Sequence, residues 1–300
     1  MRLTNKLIAA ATMAVFFAHK PALAGPREEV EAALKIDDAA TAFAKMRLLA
    51  IAGSPLAQSQ LGVMYRKGLG VTQDYAQAIL WFRKAAAKGD TGAQFDLGYM
   101  YGTGQGVAQD DARAVFWFRK AAERGHAGSQ VNLGHLYEVG HGVAQDDAQA
   151  VFWYRKAAEQ GQPFGQYELG SMYLAGRGVA QDYAQALFWY RKAAEQGDAH
   201  GQNDLGFIYG VGLGVARDDV QAEFWYRKAA EQGIADAQAN LGVMYENGLG
   251  VAQDDAQAVF WYRKAAEQGY ADAQVSLGVM YANGRGVARD DAQAFFWFQR

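Results

Sequence analysis

The chain has no cysteine at any of its 300 positions. That excludes disulfides, a thiolate nucleophile and a lipid attached through cysteine. Serine and threonine are sparse, and none of them, Ser129, Ser171 and Thr103 included, stands in a nucleophile-elbow sequence. Positive charge is not in excess either, since 29 basic residues face 32 acidic ones for a net charge of −3. The basic stripe of a nucleic-acid surface is therefore missing, as is a polybasic segment that would hold an anionic membrane. One apolar run, Leu7 to Ala18 broken only by Thr12, stands near the start. It is too short for a helix that crosses a bilayer, which takes about 20 residues. Stable membrane insertion is not expected.

That run reads instead as the centre of a leader. Arg2 and Lys6 precede it, and the small-residue site Ala22-Leu23-Ala24 follows. This is the pattern of a secretory signal peptide over residues 1–24, cleaved after Ala24 to leave Gly25 first. Cleavage removes Arg2, Lys6 and Lys20 and no acid, so the mature chain is the more acidic one. A periplasmic or secreted location follows, and a disulfide-free exported chain must be stabilised by packing alone.

What the sequence has in abundance is period. Leu-Gly pairs begin at Leu61, Leu97, Leu133, Leu169, Leu205, Leu241 and Leu277, a constant 36 residues apart. All seven tryptophans stand twenty residues after those leucines, from Trp81 to Trp297. A period in the 20–50 range marks a solenoid, whose units bury their apolar faces only against one another.

The unit beginning at Leu97 shows the local logic. Ala93, Leu97 and Tyr101 are four apart with Met100 beside them, an apolar stripe at helical spacing. Gly98 weakens that helix by about 1 kcal/mol relative to alanine, so its recurrence implies close approach by a neighbour. Gly104 and Gly106 end the helix and make the turn, Asp110 starts a second helix through Trp117 and Lys120, and Gly125 closes it. Most repeats place glutamine three residues after the capping aspartate, as Gln77 follows Asp74. The expected fold is all-α, a stack of helix-turn-helix units.

These residues carry a family resemblance. Ala-x-x-x-Leu-Gly-x-Met-Tyr, Gly-x-Gly-Val, Asp-x-Ala-x-Ala and Trp-Tyr-Arg-Lys-Ala-Ala-Glu-Gln-Gly resemble the Sel-1-like repeat, a relative of the tetratricopeptide repeat. The resemblance covers residues 57–300 as seven tandem repeats, the last truncated. It implies a right-handed α/α superhelix that binds proteins or peptides, often an exported bacterial adaptor in envelope signalling, envelope organisation or host contact. The period also reaches upstream. Asp38, Ala42, Arg47, Ala50 and Gly53 stand 36 residues before Asp74, Ala78, Arg83, Ala86 and Gly89, with Lys45 at the tryptophan position. Residues 25–56 thus read as a degenerate half repeat, a cap with a more polar outer face. At the other end, Phe295, Phe296, Trp297 and Phe298 have no next repeat to cover them, and they form a candidate surface for self-association.

The second helix is nearly a refrain, and variation concentrates in the first. Two residues after each leucine stand Val63, Tyr99, His135, Ser171, Phe207, Val243 and Val279. Two residues before it stand Ser59, Phe95, Val131, Tyr167, Asn203, Ala239 and Val275. The two positions are four apart and off the core stripe, so they are expected to share an exposed face. In a solenoid of paired helices the first helices line the concave side. A groove of apolar anchors is expected there, with hydrogen-bonding groups at Gln60, Asp96, Asn132, Glu168, Asp204, Asn240 and Ser276. Its occupant would be an extended or helical segment of a partner protein. Val131, Val243 and Val275 serve equally well as packing between adjacent first helices.

Chemistry finds little footing. The tryptophans read as an inter-repeat core rather than a stacking site. His135 and His141, six apart, match no recurrent zinc spacing, and no motif supplies a third ligand. The Gly-x-Gly turns follow a helix and lack a P-loop Lys-Ser pair. The Asp pairs recur as helix caps. No catalytic residue, metal or cofactor is assigned, and the expected function is a non-enzymatic scaffold. An envelope hydrolase or cell-wall-active enzyme is the alternative, with Ser171 and His135 as the residues to test.

Overall fold

Paired helices account for the regular structure throughout Pro26–Arg300, the residues that the computed structural model describes. The leader expected over residues 1–24 lies outside them. Two compact units divide the chain, one ending at Gln160 and the other spanning Gly161–Arg300. The first contains α1 (Pro26–Leu34), α2 (Ala39–Ile51), α3 (Pro55–Lys67), α4 (Tyr75–Ala87), α5 (Thr91–Thr103), α6 (Asp111–Ala122), α7 (Ala127–Val139) and α8 (Asp147–Glu159). The second contains α9 (Pro163–Ala175), α10 (Tyr183–Glu195), α11 (Ala199–Val211), α12 (Asp219–Glu231), α13 (Ala235–Asn247), α14 (Asp255–Glu267), α15 (Ala271–Asn283) and α16 (Asp291–Phe298). From α3 onward, odd numbers are first helices and even numbers their hairpin partners. Among the described residues there is no strand.

Local chemistry sets each boundary. The carboxylate of Asp110 accepts from the Arg113 amide at 2.9 Å, which satisfies one of the free N–H groups that begin α6. Asp74, Asp146, Asp182, Asp218, Asp254 and Asp290 do the same for the other second helices. At the far end of α5, Gly104 turns left-handed at φ 71° and its N–H returns to the Met100 carbonyl. The second glycine of the pair has a further duty. Gly250, at φ 68°, lies so close to the Asp219 carbonyl at the start of α12 that any Cβ would overlap it. The turn of one repeat thus rests on the second helix of the repeat before.

The hairpin closes on a ring. A Cβ on Gly98 would come within 2.7 Å of the Phe118 ring, and one on Gly242 within 2.6 Å of Tyr262. The same contact joins Gly62 to Phe82, Gly134 to Tyr154, Gly170 to Tyr190, Gly206 to Tyr226 and Gly278 to Phe298. The leucine before each glycine is fully buried, which contributes about 1.5–3 kcal/mol apiece.

Successive repeats are tied by side chains at fixed offsets. A buried glutamine on the first helix donates to a carbonyl at the end of the preceding second helix, as Gln238 Nε2 does to Ala230 O at 3.0 Å. Its own Oε1 accepts from the glutamine thirty residues later, for example Gln268 Nε2 at 2.8 Å. Two early repeats break that relay. Lys88 and Arg124 stand in place of the second glutamine and reach the Gly53 and Gly89 carbonyls instead, while Gln58 Oε1 and Gln94 Oε1 are buried with no hydrogen-bond partner. A second tie runs from arginine to tyrosine: Arg119 donates to Tyr137 Oη at 2.8 Å and Arg263 to Tyr281 Oη at 2.7 Å.

Both ends differ from expectation. Upstream, α2 keeps the period, with Asp38 as its cap and Ala42, Met46 and Ala50 buried against Ala57 and Leu61 of α3. Its outer face is not uniformly polar, because Leu48 and Ile51 are largely exposed beside Lys45. At the other end, Trp297 is 7% exposed and packs with Leu277 and Met280, so it does not belong to an open patch. Phe296 is no more exposed than Phe116, Phe152 or Phe188 in the repeats before it. Only Phe295, at 63%, and Phe298, at 50%, stand out.

Gly98 and Gly102, four residues apart on α5, test the ring contact. A Cβ on Gly102 meets nothing closer than Ala114 at 3.5 Å. Gly98→Ala is predicted to lower stability by about 1–3 kcal/mol through overpacking against Phe118. Gly102→Ala should be neutral or raise it by up to about 1 kcal/mol. Urea unfolding of the two variants against the parent checks both signs.

Candidate partner-binding face

The first helices present three variable positions to be placed, and the structure separates them. The position two after the leucine is the open one. Phe207, Val243 and Val279 are exposed there, and Tyr99, His135 and Ser171 are half-buried. The position two before it mostly is not. Ser59, Val131 and Ala239 are each only 6% exposed, so the two positions do not form one shared exposed face. At Phe95 and Tyr167 the ring of the same repeat's second helix and the start of the next first helix cover this position. Phe95 lies 5.7 Å from the Phe118 ring and 5.0 Å from His126, and Tyr167 lies 5.7 Å from Tyr190 and 5.8 Å from His200. Asn203 is half-buried, and Val275 alone of this set is well exposed.

The row just before the leucine is half-buried throughout, at Asp96, Asn132, Glu168, Asp204 and Asn240. Its carboxylates are perturbed as a result. Burial pushes the Asp96 carboxyl up to about 6, against the opposing pull of Arg66 at 3.6 Å. Burial likewise raises Asp204, against a hydrogen bond from Asn203 Nδ2 at 3.0 Å and the nearby His200. Around Asp204 the phenols of Tyr167, Tyr190 and Tyr226 are all pushed upward, first by burial and then by that carboxylate, so they stay protonated. Ser171 Oγ lies 3.0 Å from Tyr190 Oη and donates to the Tyr167 carbonyl at 3.2 Å. Within Gly161–Arg300 this makes one continuous polar cluster on α9, α10, α11 and α12.

The other chemical candidates disperse. His126 caps α7, its Nδ1 accepting from the Ser129 amide at 3.1 Å, and Ser129 is fully buried. Burial holds the His135 imidazole below its usual range, with Glu138 opposing and His141 reinforcing the shift. No group of three or more metal-ligating side chains occurs among the described residues. No described helix is long and apolar enough to cross a membrane. The tryptophans line the inter-repeat core, with Trp81, Trp261 and Trp297 buried and Trp117, Trp153 and Trp225 packed against it.

One surface escaped the reading of the sequence. The residue before each tryptophan forms an exposed row on the second helices: Leu80, Phe116 and Phe152 in one unit, Phe188, Phe224, Phe260 and Phe296 in the other. Each ring meets its tryptophan edge-on at 4.9–5.0 Å. Lysine ammonium groups lie over several of them, Lys120 at 4.9 Å from Phe116 and Lys264 at 4.9 Å from Phe260. A shallow groove beside Phe116 is lined by Ala112, Val115, Lys120 and Val143. The signal was an aromatic on a face that should be polar at that spacing, hidden because it repeats.

Hairpins of constant length, stacked by ties of constant offset, define an all-α solenoid of tandem repeats. The Sel1 repeat model matches seven consecutive segments, residues 55–90, 91–126, 127–162, 163–198, 199–234, 235–270 and 271–300. The chain belongs to the Sel1 repeat family. It is similar to a Sel1 repeat protein from Oxalobacter formigenes, at 39% identity and a TM-score of 0.71, over 91% of this chain and 79% of that one. It also resembles a protective antigen of uropathogenic Escherichia coli that displays the same repeat fold, at 35% identity and a TM-score of 0.52, over 91% and 76%. No protein with a curated description matches it. Sel1 repeat proteins are generally protein-interaction scaffolds.

Asp96 supplies a pH test of this face. Its folded-state pKa, about 6, lies above the unfolded value, so ionisation costs stability as pH rises from about 4 to about 6. Asp96→Asn removes that cost. The stability difference between variant and parent should shift in the variant's favour by about 1–2 kcal/mol between pH 4 and pH 7, read from urea midpoints at both.

Proposed function

We propose that this chain is an exported, non-catalytic adaptor that holds segments of partner proteins against the exposed side of its first helices. The observation that carries this reading is a division of labour between positions. The residues that build the hairpin and tie the repeats are nearly constant, whereas the residue two after each leucine changes from Val63 to Tyr99, His135, Ser171, Phe207, Val243 and Val279. Those side chains are exposed or half-exposed, and they stand beside a row of hydrogen-bonding groups. Apolar anchors next to fixed polar partners are what capture of an extended or helical segment requires. The leader-like residues 1–24 and the absence of cysteine support work in the bacterial envelope or beyond it, in signalling, envelope organisation or contact with a host.

The hydrolase alternative has less to stand on. Ser171 Oγ is engaged with the Tyr190 hydroxyl and the Tyr167 carbonyl rather than with an imidazole, and Ser129 Oγ, although 3.0 Å from His126 Nδ1, is fully buried at the start of α7 where no substrate reaches it. Neither arrangement offers an activated nucleophile to a substrate. Turnover of a hydrolase substrate by the purified protein, lost in Ser171→Ala, would restore that reading.

Affinity capture tests the adaptor. The double variant Tyr99→Asp/Phe207→Asp is predicted to keep its helical circular-dichroism spectrum and to lose its captured partners by about tenfold or more. Capture at the parent's level by a folded double variant would remove the first-helix face from consideration.

A further inference from the structure

Basic residues are absent from one whole set of helices. In Gly161–Arg300 the first helices α9, α11, α13 and α15 contain no lysine and no arginine, but they carry Glu168, Asp204, Asp236, Glu246 and Asp272. The unit's cations stand on second helices and in turns. Arg285, in the turn after α15, is bound to Glu246 and Asp255 at 2.8 Å each. Arg217 and Arg289 are occupied by Asp219 and Asp291 beside them. A face that collects acids and excludes bases repels anionic partners and attracts cationic ones.

Asp204 is the point at which this face is built rather than merely charged. The groups that act on it to favour its charge are Asn203, His200 and Tyr167, with no lysine or arginine among them. Asn203 gives its Nδ2 to the carboxylate and thereby holds it in place on the half-exposed side of α11. Tyr167 packs at 38° to Tyr190 and at 40° to His200, and Tyr226 is near enough to feel the carboxylate. A half-exposed carboxylate with no lysine or arginine beside it, next to the half-buried Tyr167 ring, is the complement of a group that has several N–H donors and a positive charge. Phe207, three residues along α11, and Val243 on α13 are exposed apolar neighbours on the same set of helices.

We propose that the first-helix face of Gly161–Arg300 docks a basic peptide segment, with one lysine or arginine side chain set against Asp204 beside Tyr167. Aliphatic side chains of the same segment rest on Phe207 and Val243. The inference depends on the first helices being the binding face, and it adds the chemistry of the partner. The half-exposed site keeps the charge of Asp204 available to an incoming cation, whose arrival offsets the cost of its burial.

The test is fluorescence anisotropy of the purified full chain with three labelled peptides of one length, alternating leucine with lysine, with glutamine or with glutamate. The lysine peptide should bind at least about tenfold more tightly than the glutamine peptide, and the glutamate peptide should not bind. Its affinity should fall as sodium chloride is raised. Asp204→Asn should weaken the lysine peptide by about tenfold, Asp204→Glu should recover part of that loss, and Asp291→Asn on α16 should stay within about twofold of the parent. Circular dichroism of each variant confirms that it is folded. Equal binding of lysine and glutamine peptides, both lost in Phe207→Asp, would overturn the cation preference and leave the binding face standing. Lysine-peptide binding unmoved by both Asp204→Asn and Phe207→Asp would overturn the two together. Failure of all three peptides to bind would overturn the basic-segment inference, while the capture experiment with Tyr99→Asp/Phe207→Asp decides the face independently.

Discussion

Each hairpin of this protein depends on one steric fact, an aromatic ring seated on a glycine. The ring comes from the second helix, twenty residues after the glycine, and a methyl group at that glycine would stand where the ring lies. Glycine costs helix propensity, so seven such residues in mid-helix are a standing penalty unless something offsets them. Close approach of the second helix is that offset. It brings the leucine before each glycine to complete burial and sets the hairpin geometry that every later contact assumes. The choice between phenylalanine and tyrosine for the ring is secondary. Tyr154 and Tyr262 use their hydroxyls to donate to Glu138 and Glu246 at 2.7 Å, and Phe82 and Phe118 do without.

With the hairpin fixed, stacking follows from side chains at constant offsets. The buried glutamine ties a first helix to the carbonyl end of the second helix before it, the arginine–tyrosine bond runs at an offset of eighteen, and the turn glycine rests on the preceding repeat. Stability in such an array is close to a sum of unit and neighbour terms. Local exceptions therefore stay local. The two glutamine oxygens left unpaired beside Lys88 and Arg124 cost their own repeats and need no compensation elsewhere. The same property frees the first-helix surface to vary, because a change two residues after the leucine leaves the glycine and the inter-repeat ties in place, even where, as at Ser171, the side chain also bonds the ring's hydroxyl. Diversity at that position is thus compatible with a constant scaffold, and function can be written there.

Much of this was legible in the sequence, for a physical reason. The period, the capping aspartates and the turn glycines are local signals, each set by backbone chemistry within a few residues, and the structure places all of them as read. The core stripe of Ala93, Leu97, Met100 and Tyr101 was legible too, since helical spacing alone defines it. What a helical wheel cannot supply is how much of the remaining circumference the neighbouring repeat covers. For that reason Ser59 and Ala239 looked open and are buried, and Trp297 looked uncovered and is packed. The phenylalanine row on the second helices was overlooked from the opposite direction. A residue repeated identically was taken for scaffold, yet Phe188, Phe224 and Phe260 are about half exposed. Constancy marks a structural role only where burial accompanies it. The acid–tyrosine cluster around Asp204 was legible one member at a time, and its assembly from α9, α10, α11 and α12 required the fold.

Within Gly161–Arg300, two surfaces consequently stand on opposite members of each hairpin, one varied and acidic, the other constant and aromatic. Hydroxyl-radical footprinting of the protein with and without a captured partner distinguishes them residue by residue, because aromatic side chains report their own solvent access. The account predicts that Phe207 and Tyr167 lose reactivity when the partner is bound, and that Phe188, Phe224 and Phe260 keep theirs. Protection of the second-helix phenylalanines with Phe207 and Tyr167 unchanged would contradict it.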